Sequence, residues 1–505
     1  MLRGSSNQVG GGLARLEKRL DRVDVRLSGR LATAWSARRA GRPPRAAEKV
    51  DLASALTRDD ADVAELAEAL RYTLKHGAFE SAAALTSRLE TSRTANRLDV
   101  SGVASWMSAS IMLGKLDAAR ALAQAHAATL RASVEGVTLL SLLGLEDPAG
   151  VTWLPNGSPN CVGLNRRILA GTLDPEQLAQ LLGTRLGLWV AEPELNLLFF
   201  NALRGHDSVR ACAFLSRFLR AHGLPSCHEL RSRDSVAFTF DTPRAVEGGP
   251  LVSVVLAAHD SEDTIALAVD SLLGQSYRNL EILVGDDASR DDTLRLLKAR
   301  YGAEPRVRLF SSRANQGAYN LRNALLARAR GAILTCHDAD DIALPTRIAL
   351  QVERLSRSGM VACVGNWLRL SPARGVVFFA DQRACRLSLV TLMLTRRAHE
   401  ELGPFRSARV GADFERYEDL RARFGLAALA RIRAPLILAR WAEGSATRAR
   451  GLEALEDGYR SPARRAYSEW VFDKHHPSGR VATPISEMLE AHGNLAPPAE
   501  LDELG

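Results

Sequence analysis

The sequence predicts two fold classes in one chain: an all-α N-terminal domain, and a C-terminal α/β domain with a Rossmann-like, mostly parallel sheet. Two observations carry this. Between about residues 50 and 235, Ala, Leu and Arg recur at helical spacing with few β-branched runs. From about residue 250, short continuous apolar runs alternate with helical stretches, as expected of parallel strands buried on both faces. At 505 residues the chain exceeds one ordinary core, and two or three domains are expected. We place a basic amphipathic helix and linker at 1–48, a repeat-like helical domain at 49–245, the α/β domain at 246–450 and a C-terminal helical extension at 451–505.

Leu13, Leu16, Leu20, Val23 and Leu27 alternate in steps of three and four, which paints one apolar stripe on a helix over 12–36. Arg15, Lys18, Arg19, Arg22 and Arg26 lie between them. This fits a short coiled coil or docking helix; a helix lying on an anionic membrane is the sharper reading, diluted by Glu17, Asp21 and Asp24. Farther on, GAFESAAALTSRL from Gly77 and GKLDAARALAQAH from Gly114 each pair a Gly-led turn with an Ala-rich helix. Their spacing is near the ~34 residues of a tetratricopeptide-type hairpin, and an irregular bundle fits equally well. Stretches from Gly171 and Gly205 read as degenerate further copies.

In the C-terminal half the order is strand LVSVVLAA, helix TIALAVDSLLGQ, strand LEILVGDD, helix DDTLRLLKARYG, strand RVRLFSS, helix AYNLRNALLARARG and strand AILTCHDADD. Such a sheet binds its ligand at the carboxyl ends of the strands, so the chemistry belongs to the residues just after each strand. Asp286 and Asp287 follow the second strand, where a carboxylate can accept the imide N–H of a base, or simply cap a turn. Gly317 lets the backbone approach a ligand, and Arg322 on the next helix either points at phosphates or is solvated. Asp338 and Asp340 form an Asp-x-Asp pair after the strand AILTC, where i and i+2 side chains share a face. Hard cations such as Mg²⁺ or Mn²⁺ prefer carboxylate oxygens and bridge diphosphates, so this pair suits a metal, with Asp341 a spare. Two further strands, MVACVGNW and GVVFFA, complete the sheet.

From AAHDSEDT through the DDASRDDT loop, the NQGAYNLRN element and HDADDIALPTR, the chain resembles family 2 glycosyltransferases over about residues 250–450. The resemblance implies a GT-A fold, a nucleotide diphosphate-sugar donor with UDP foremost, and Mn²⁺ or Mg²⁺ as cofactor. It places the nucleotide base on Asp287, donor contacts on Arg322 and Asp338, and the metal on Asp338 and Asp340. The family usually shows Tyr-Asn where this chain has His259 and Asp260. The family's base region resembles the segment around Gly411-Ala412-Asp413, making Asp413 the candidate general base for an inverting displacement. A helix N-cap is the alternative role for Asp413, and Glu415, Glu418 and Asp419 are rivals. His399 reads as an exposed surface histidine, and Arg440-Trp441 partly matches the Gln-x-x-Arg-Trp element of processive synthases, with Ile437 at the Gln position.

The formal charge of +8 accompanies no nucleic-acid module, so no nucleic-acid partner is expected. No apolar run reaches the ~18 residues of a membrane span and the N-terminus lacks a secretory core, which predicts a cytoplasmic protein, peripheral at the inner membrane face if its N-terminal helices dock there. The six cysteines show no C-x-x-C spacing and read as free thiols. The function expected is transfer of a sugar to a glycan or other hydroxyl acceptor in surface polysaccharide or glycoconjugate synthesis, with the helical half holding a protein partner, acceptor or membrane. The competing reading is a helical-repeat scaffold carrying an inactive nucleotide-sugar domain. A nucleotidyltransferase would want a Gly-rich, Lys-bearing phosphate loop after the first strand, which is missing.

Overall fold

The structure is a computed structural model that describes residues 12–27, 55, 62–76, 78–92, 98–145, 152–183, 189, 191–230, 238–371, 373–379, 381–408, 410–441, 462–475 and 501–504. Helix α1 (Gly12–Leu27) is followed by α2 (Val63–His76), α3 (Phe79–Thr91), α4 (Val100–Met112), α5 (Leu116–Ala125), α6 (Ala127–Arg131) and α7 (Val134–Leu143). Helices α2 with α3 and α4 with α5 are the two hairpins expected from the Gly-led stretches, and they bury Leu70, Leu85, Leu89, Val103 and Met107 in one core. Next come α8 (Cys161–Leu169), α9 (Pro175–Leu182), α10 (Leu195–Leu203) and α11 (Ser208–Ala221). Asp174 caps α9 with a reciprocal Gln177 bond, a capping box with proline at the first turn.

The apolar stripe of α1 faces the chain itself. Leu13, Leu16 and Leu20 are buried with Leu178 and Leu182 of α9, Glu176 accepts the Leu13 amide at 2.9 Å, and Glu17 pairs with Arg210 at 2.8 Å. The docking reading holds and the membrane reading fails for these three residues, because they are already covered; α1 is described over Gly12–Leu27, and the rest of the stretch to 36 lies outside the described residues. The linker expected at the end of the 1–48 segment lies outside the described residues. Among the described residues the strands of the N-terminal region are a small antiparallel pair, β1 (Cys227–Leu230) and β2 (Phe238–Phe240), and the other named elements there are helices.

The second part opens with β3 (Val252–Ala258), α12 (Ile265–Leu273), β4 (Leu280–Asp286), α13 (Thr293–Tyr301), β5 (Val307–Ser312), α14 (Ala318–Leu326) and β6 (Ile333–Asp338), matching the predicted alternation. It continues with β7 (Ile342–Ala343), α15 (Arg347–Leu355), β8 (Ala362–Ser371), β9 (Gly375–Val376), β10 (Cys385–Thr395), α16 (Arg396–Leu402), α17 (Ala412–Phe424) and β11 (Leu429–Arg440). Last come α18 (Pro462–His475) and β12 (Leu501–Leu504). The sheet order is β12-β5-β4-β3-β6-β10-β8-β11-β7, with β9 on β8. Strands β5, β4, β3 and β6 are parallel, β10 is antiparallel to both β6 and β8, and β11 is parallel to β8. This is the GT-A type of α/β sheet that was expected, with a mixed far half.

Three expectations need correction. GVVFFA contributes only the two residues of β9, while SLVTLMLT is the body of the strand β10. The 451–505 segment supplies a strand as well as a helix: β12 pairs antiparallel with the edge strand β5, helped by Arg308–Glu503 at 2.9 Å and Arg313–Asp502 at 3.3 Å. The boundary near 245 separates textures but not cores. Phe199, Phe214 and Phe218 of the helical layer share one cluster with Leu368, Leu370, Val376 and Leu438 of the sheet. Helix α18 ties the layers together again, with Phe472 in the helical hairpin core and Glu469 accepting the α3 amides of Glu80 and Ser81 at 3.1 and 3.3 Å.

Candidate active site

Register brings the acidic residues to one rim. Across β3, Ala258 pairs with Asp286 of β4 and Ala257 with Asp338 of β6, and the Asp287 amide donates to the Ala258 carbonyl at 2.8 Å. Asp286 and Asp338 therefore stand two strand spacings apart, about 10 Å.

The base-side carboxylates divide their work. Both oxygens of Asp287 accept backbone amides, from Gln316 at 2.9 Å and Gly317 at 2.8 Å, and burial pushes its carboxyl up against the pull of those bonds. Gly317 sits at φ 81°, a left-handed conformation that glycine adopts without strain, so the turn and the carboxylate fix each other. Asp286 accepts the Ser289 amide at 3.2 Å, as a turn cap, and its other oxygen is buried without a hydrogen-bond partner. Of the two, Asp286 carries the unused acceptor. The departing His259-Asp260 pair braces the loops, with the His259 ring 2.8 Å from the Asp287 carbonyl and Asp260 accepting the Arg290 amide at 2.7 Å.

Arg322 is not solvated. It is buried, its guanidinium is bonded to Asp338 and lies 5.4 Å from the Tyr319 ring centroid, and its Nε has no hydrogen-bond partner. Burial opposes its charge, yet Asp338 and more weakly Asp413 hold its pKa above the ordinary arginine value. The Asp-x-Asp pair departs from the same-face rule because β6 ends at Asp338 and Asp340 lies in the following turn. The two still feel each other: burial, then the charge of Asp338, pushes Asp340 up to about 6. Asp341 is a strut. Its carboxylate accepts the Arg440 amide at 3.1 Å, and burial pushes it well above the usual range.

Beneath this turn lies a residue the sequence flagged only as part of Leu-Pro-Thr-Arg. Arg347 is fully buried and contacts His337 Nδ1 at 2.9 Å, the Cys336 carbonyl at 2.7 Å, the Thr335 hydroxyl at 3.2 Å and Gln351 at 3.2 Å. Burial lowers its pKa to about 10 and, with the Arg347 charge, keeps His337 well below the ordinary histidine value.

On the far side, Gly411 at φ 87° is the N-cap of α17, so Asp413 is not the cap; it lies in the first turn and accepts the Tyr319 hydroxyl at 2.8 Å. Its rivals are engaged elsewhere. Glu415 is buried among Arg406 at 3.0 Å, Tyr467 at 2.5 Å and Lys474 at 3.0 Å; burial opposes its charge, but these donors hold its carboxyl below the usual range. Glu418 pairs with Arg421 at 2.6 Å, and Asp419 with Lys474 at 2.7 Å and His475 at 2.8 Å. His399, expected on the surface, is half-buried against Arg416. Arg440 donates its amide to Asp341 and its charge weakly favours ionised Asp340, and Arg369 of β8 lies 5.5 Å from the Trp441 ring and 4.2 Å from Trp367.

A parallel rim of carboxylates, an acidic turn after β6 and a mixed sheet beyond it are the features of a GT-A type of sheet. More particularly, residues 253–412 match the family model described as Glycosyl transferase family 2, and this stretch is a domain of that family. The chain is 36% identical over 151 residues to the succinoglycan biosynthesis protein ExoO of Rhizobium meliloti, 30% of this chain and 43% of that protein. It is 34% identical over 133 residues to the putative glycosyltransferase EpsE of Bacillus subtilis, 26% of this chain and 48% of that protein. It is also 31% identical over 117 residues to the UDP-Glc:alpha-D-GlcNAc-diphosphoundecaprenol beta-1,3-glucosyltransferase WfgD of Escherichia coli, 23% of this chain and 46% of that protein. The chain thus spans less than half the length of each of these relatives. Among the described residues no helix is long and apolar enough to cross a membrane.

Proposed function

We propose that the protein transfers a sugar from a nucleotide diphosphate-sugar, a UDP-sugar first, to a glycan hydroxyl in polysaccharide synthesis, with inversion at the anomeric carbon. The observation that supports this is the shared rim of β3, β4 and β6, where Asp286 and Asp287 follow β4 and the Asp338–Asp340 turn follows β6, two strands away. The relatives' names, a succinoglycan biosynthesis protein and a UDP-Glc-dependent glucosyltransferase, support the substrate class.

Two carboxylates fit a divalent cation here. Among the described residues no three metal-ligating side chains gather in one group, but Mg²⁺ and Mn²⁺ in phosphate sites use one or two carboxylates plus substrate oxygens. Burial first, and then the charge of Asp338, raise the carboxyl of Asp340, and a bound cation would offset both. We assign Asp338 and Asp340 to Mn²⁺ or Mg²⁺, which when bound supplies charge stabilisation to the departing diphosphate. The unpartnered oxygen of Asp286, backed by Asp287, takes the base N–H. Arg322 acts through Asp338, holding it at the rim. Asp413 takes the proton of the acceptor hydroxyl as that oxygen attacks the anomeric carbon. Attachment at the inner face of a membrane, if it occurs, would use surfaces other than the covered stripe of α1.

The test is release of nucleoside diphosphate from UDP-glucose, UDP-galactose, UDP-N-acetylglucosamine and GDP-mannose, with Mn²⁺ and with chelator. Metal-dependent release from at least one donor is expected. Binding of these nucleotides without any turnover would instead favour the scaffold reading.

A further inference from the structure

Tyr319 is the second residue of α14, directly after the turn that Asp287 clamps at Gln316 and Gly317. Its place is therefore set by the donor-side rim. Its ring is buried with Ala408, Ala412, Tyr467 and Val471, packs on Phe405 with centroids 5.6 Å apart, and lies under the Arg322 guanidinium. Its hydroxyl leaves this apolar cluster to reach one oxygen of Asp413 at 2.8 Å. That is the one side-chain hydrogen bond of Asp413 among the described residues, and the carboxylate has no capping duty, since Gly411 is the N-cap. Arg322, stacked on the same ring, is bonded to Asp338. One side chain thus joins the acceptor-side carboxylate to the donor-side pair.

We propose that Tyr319 is a positioning residue for sugar transfer: its hydroxyl holds one oxygen of Asp413 so that the other faces the acceptor hydroxyl. This rests on the reading of Asp413 as the base. In the step it serves, the acceptor oxygen forms its bond to the anomeric carbon while its proton passes to Asp413. The bond between that carbon and the diphosphate oxygen breaks, and the nucleoside diphosphate leaves with the electron pair. Tyr319 keeps its own proton throughout. An Asp side chain has two rotatable bonds, and a charge-assisted O–H···O⁻ contact is short and directional, so it can select one rotamer of the carboxylate. Misplacement of a reacting group by about 1 Å can cost ~10²-fold in rate.

The experiment uses the full chain with UDP-glucose and Mn²⁺ and reads UDP release with water as the acceptor, so the glycan need not be known. Tyr319→Phe keeps the ring, its packing and its contact with Arg322, and removes only the hydroxyl. It is expected to lower kcat by ~10- to 10²-fold with KM for UDP-glucose little changed. In an Asp413→Asn background, itself slowed by ~10²-fold or more, the same substitution should add almost nothing. A Tyr319→Phe enzyme at wild-type kcat, or one whose loss multiplies with that of Asp413→Asn, overturns the positioning role while leaving the base in place. An Asp413→Asn enzyme at wild-type rate overturns the base reading and this proposal with it. Wild-type protein that releases no UDP under these conditions, while releasing nucleoside diphosphate from no other donor, overturns both.

Discussion

The strands on the two sides of β6 reach the site by different routes. On one side β3, β4 and β5 run parallel to it, β4 is buried along its whole length, and the carboxyl ends line up by register alone. On the other side β10 runs antiparallel, its pairing with β8 shifts between Ser388 and Met393, and the acceptor-side carboxylate comes from a helix, α17. That helix is fixed by side chains. Tyr467 packs against Gly411, where an added Cβ would meet it at 2.9 Å, and Lys474 and Tyr467 of α18 hold Glu415. The donor half is thus placed by backbone rules and the acceptor half by packing and charge, so substitutions far from the chemistry should disturb the second more readily.

The largest expected effect is on the donor side: Asp340→Ala should reduce Mn²⁺-dependent nucleoside diphosphate release by at least ~10²-fold, as loss of a group that stabilises transition-state charge does. A variant with intact metal-dependent turnover would break the assignment of the turn after β6. Next in size is Arg347→Met. It leaves the Cys336 carbonyl and His337 Nδ1 without their donor in a dry interior, and should cost about 3 kcal/mol in urea denaturation. An unchanged midpoint would mean that β6 holds its end without that brace.

The smallest is a pH effect on the acceptor side. Burial, then Arg416 and Arg396, lowers His399 from 6.5 to about 4, so the unfolded chain takes up its proton first and this part of the stability is lost as pH falls from about 6.5 towards 4. Wild type should lose stability relative to His399→Gln between pH 7 and pH 5, by less than about 1 kcal/mol because the ring is only half-buried. A constant difference across that range would show that His399 titrates normally.

The same contrast explains what the sequence made legible. Strands β3 to β6 were readable because parallel strands buried on both faces are continuous apolar runs, and the motifs sit at their ends. Strand β10 was not, since only part of CRLSLVTLMLT is buried and neither period is clean. Strand β12 is four residues, LDEL, whose conformation comes from the edge of β5 rather than from propensity. Asp287, Asp338, Asp340 and Asp413 can be named as candidates from the sequence, but their hydrogen-bond partners and burial cannot. The spare acceptor of Asp286, the burial of Arg322 and the bond from Tyr319 to Asp413 depend on contacts 16 to 94 positions apart. The α1 stripe shows the limit from the other direction: amphipathicity says that Leu13, Leu16 and Leu20 will be covered, and only the fold says that α9 covers them.

Calorimetry of UDP binding in the presence of Mn²⁺ addresses the central claim most directly, comparing wild type with Asp286→Asn and Asp340→Asn. Asp286 and Asp340 are 54 positions apart in sequence and on different strand ends, so a shared ligand would make both substitutions weaken the same isotherm while leaving the thermal midpoint near that of wild type. Loss of affinity in both variants, with Asp340→Asn also abolishing the Mn²⁺ dependence, is predicted. UDP binding that stays at the wild-type level in either variant would contradict it.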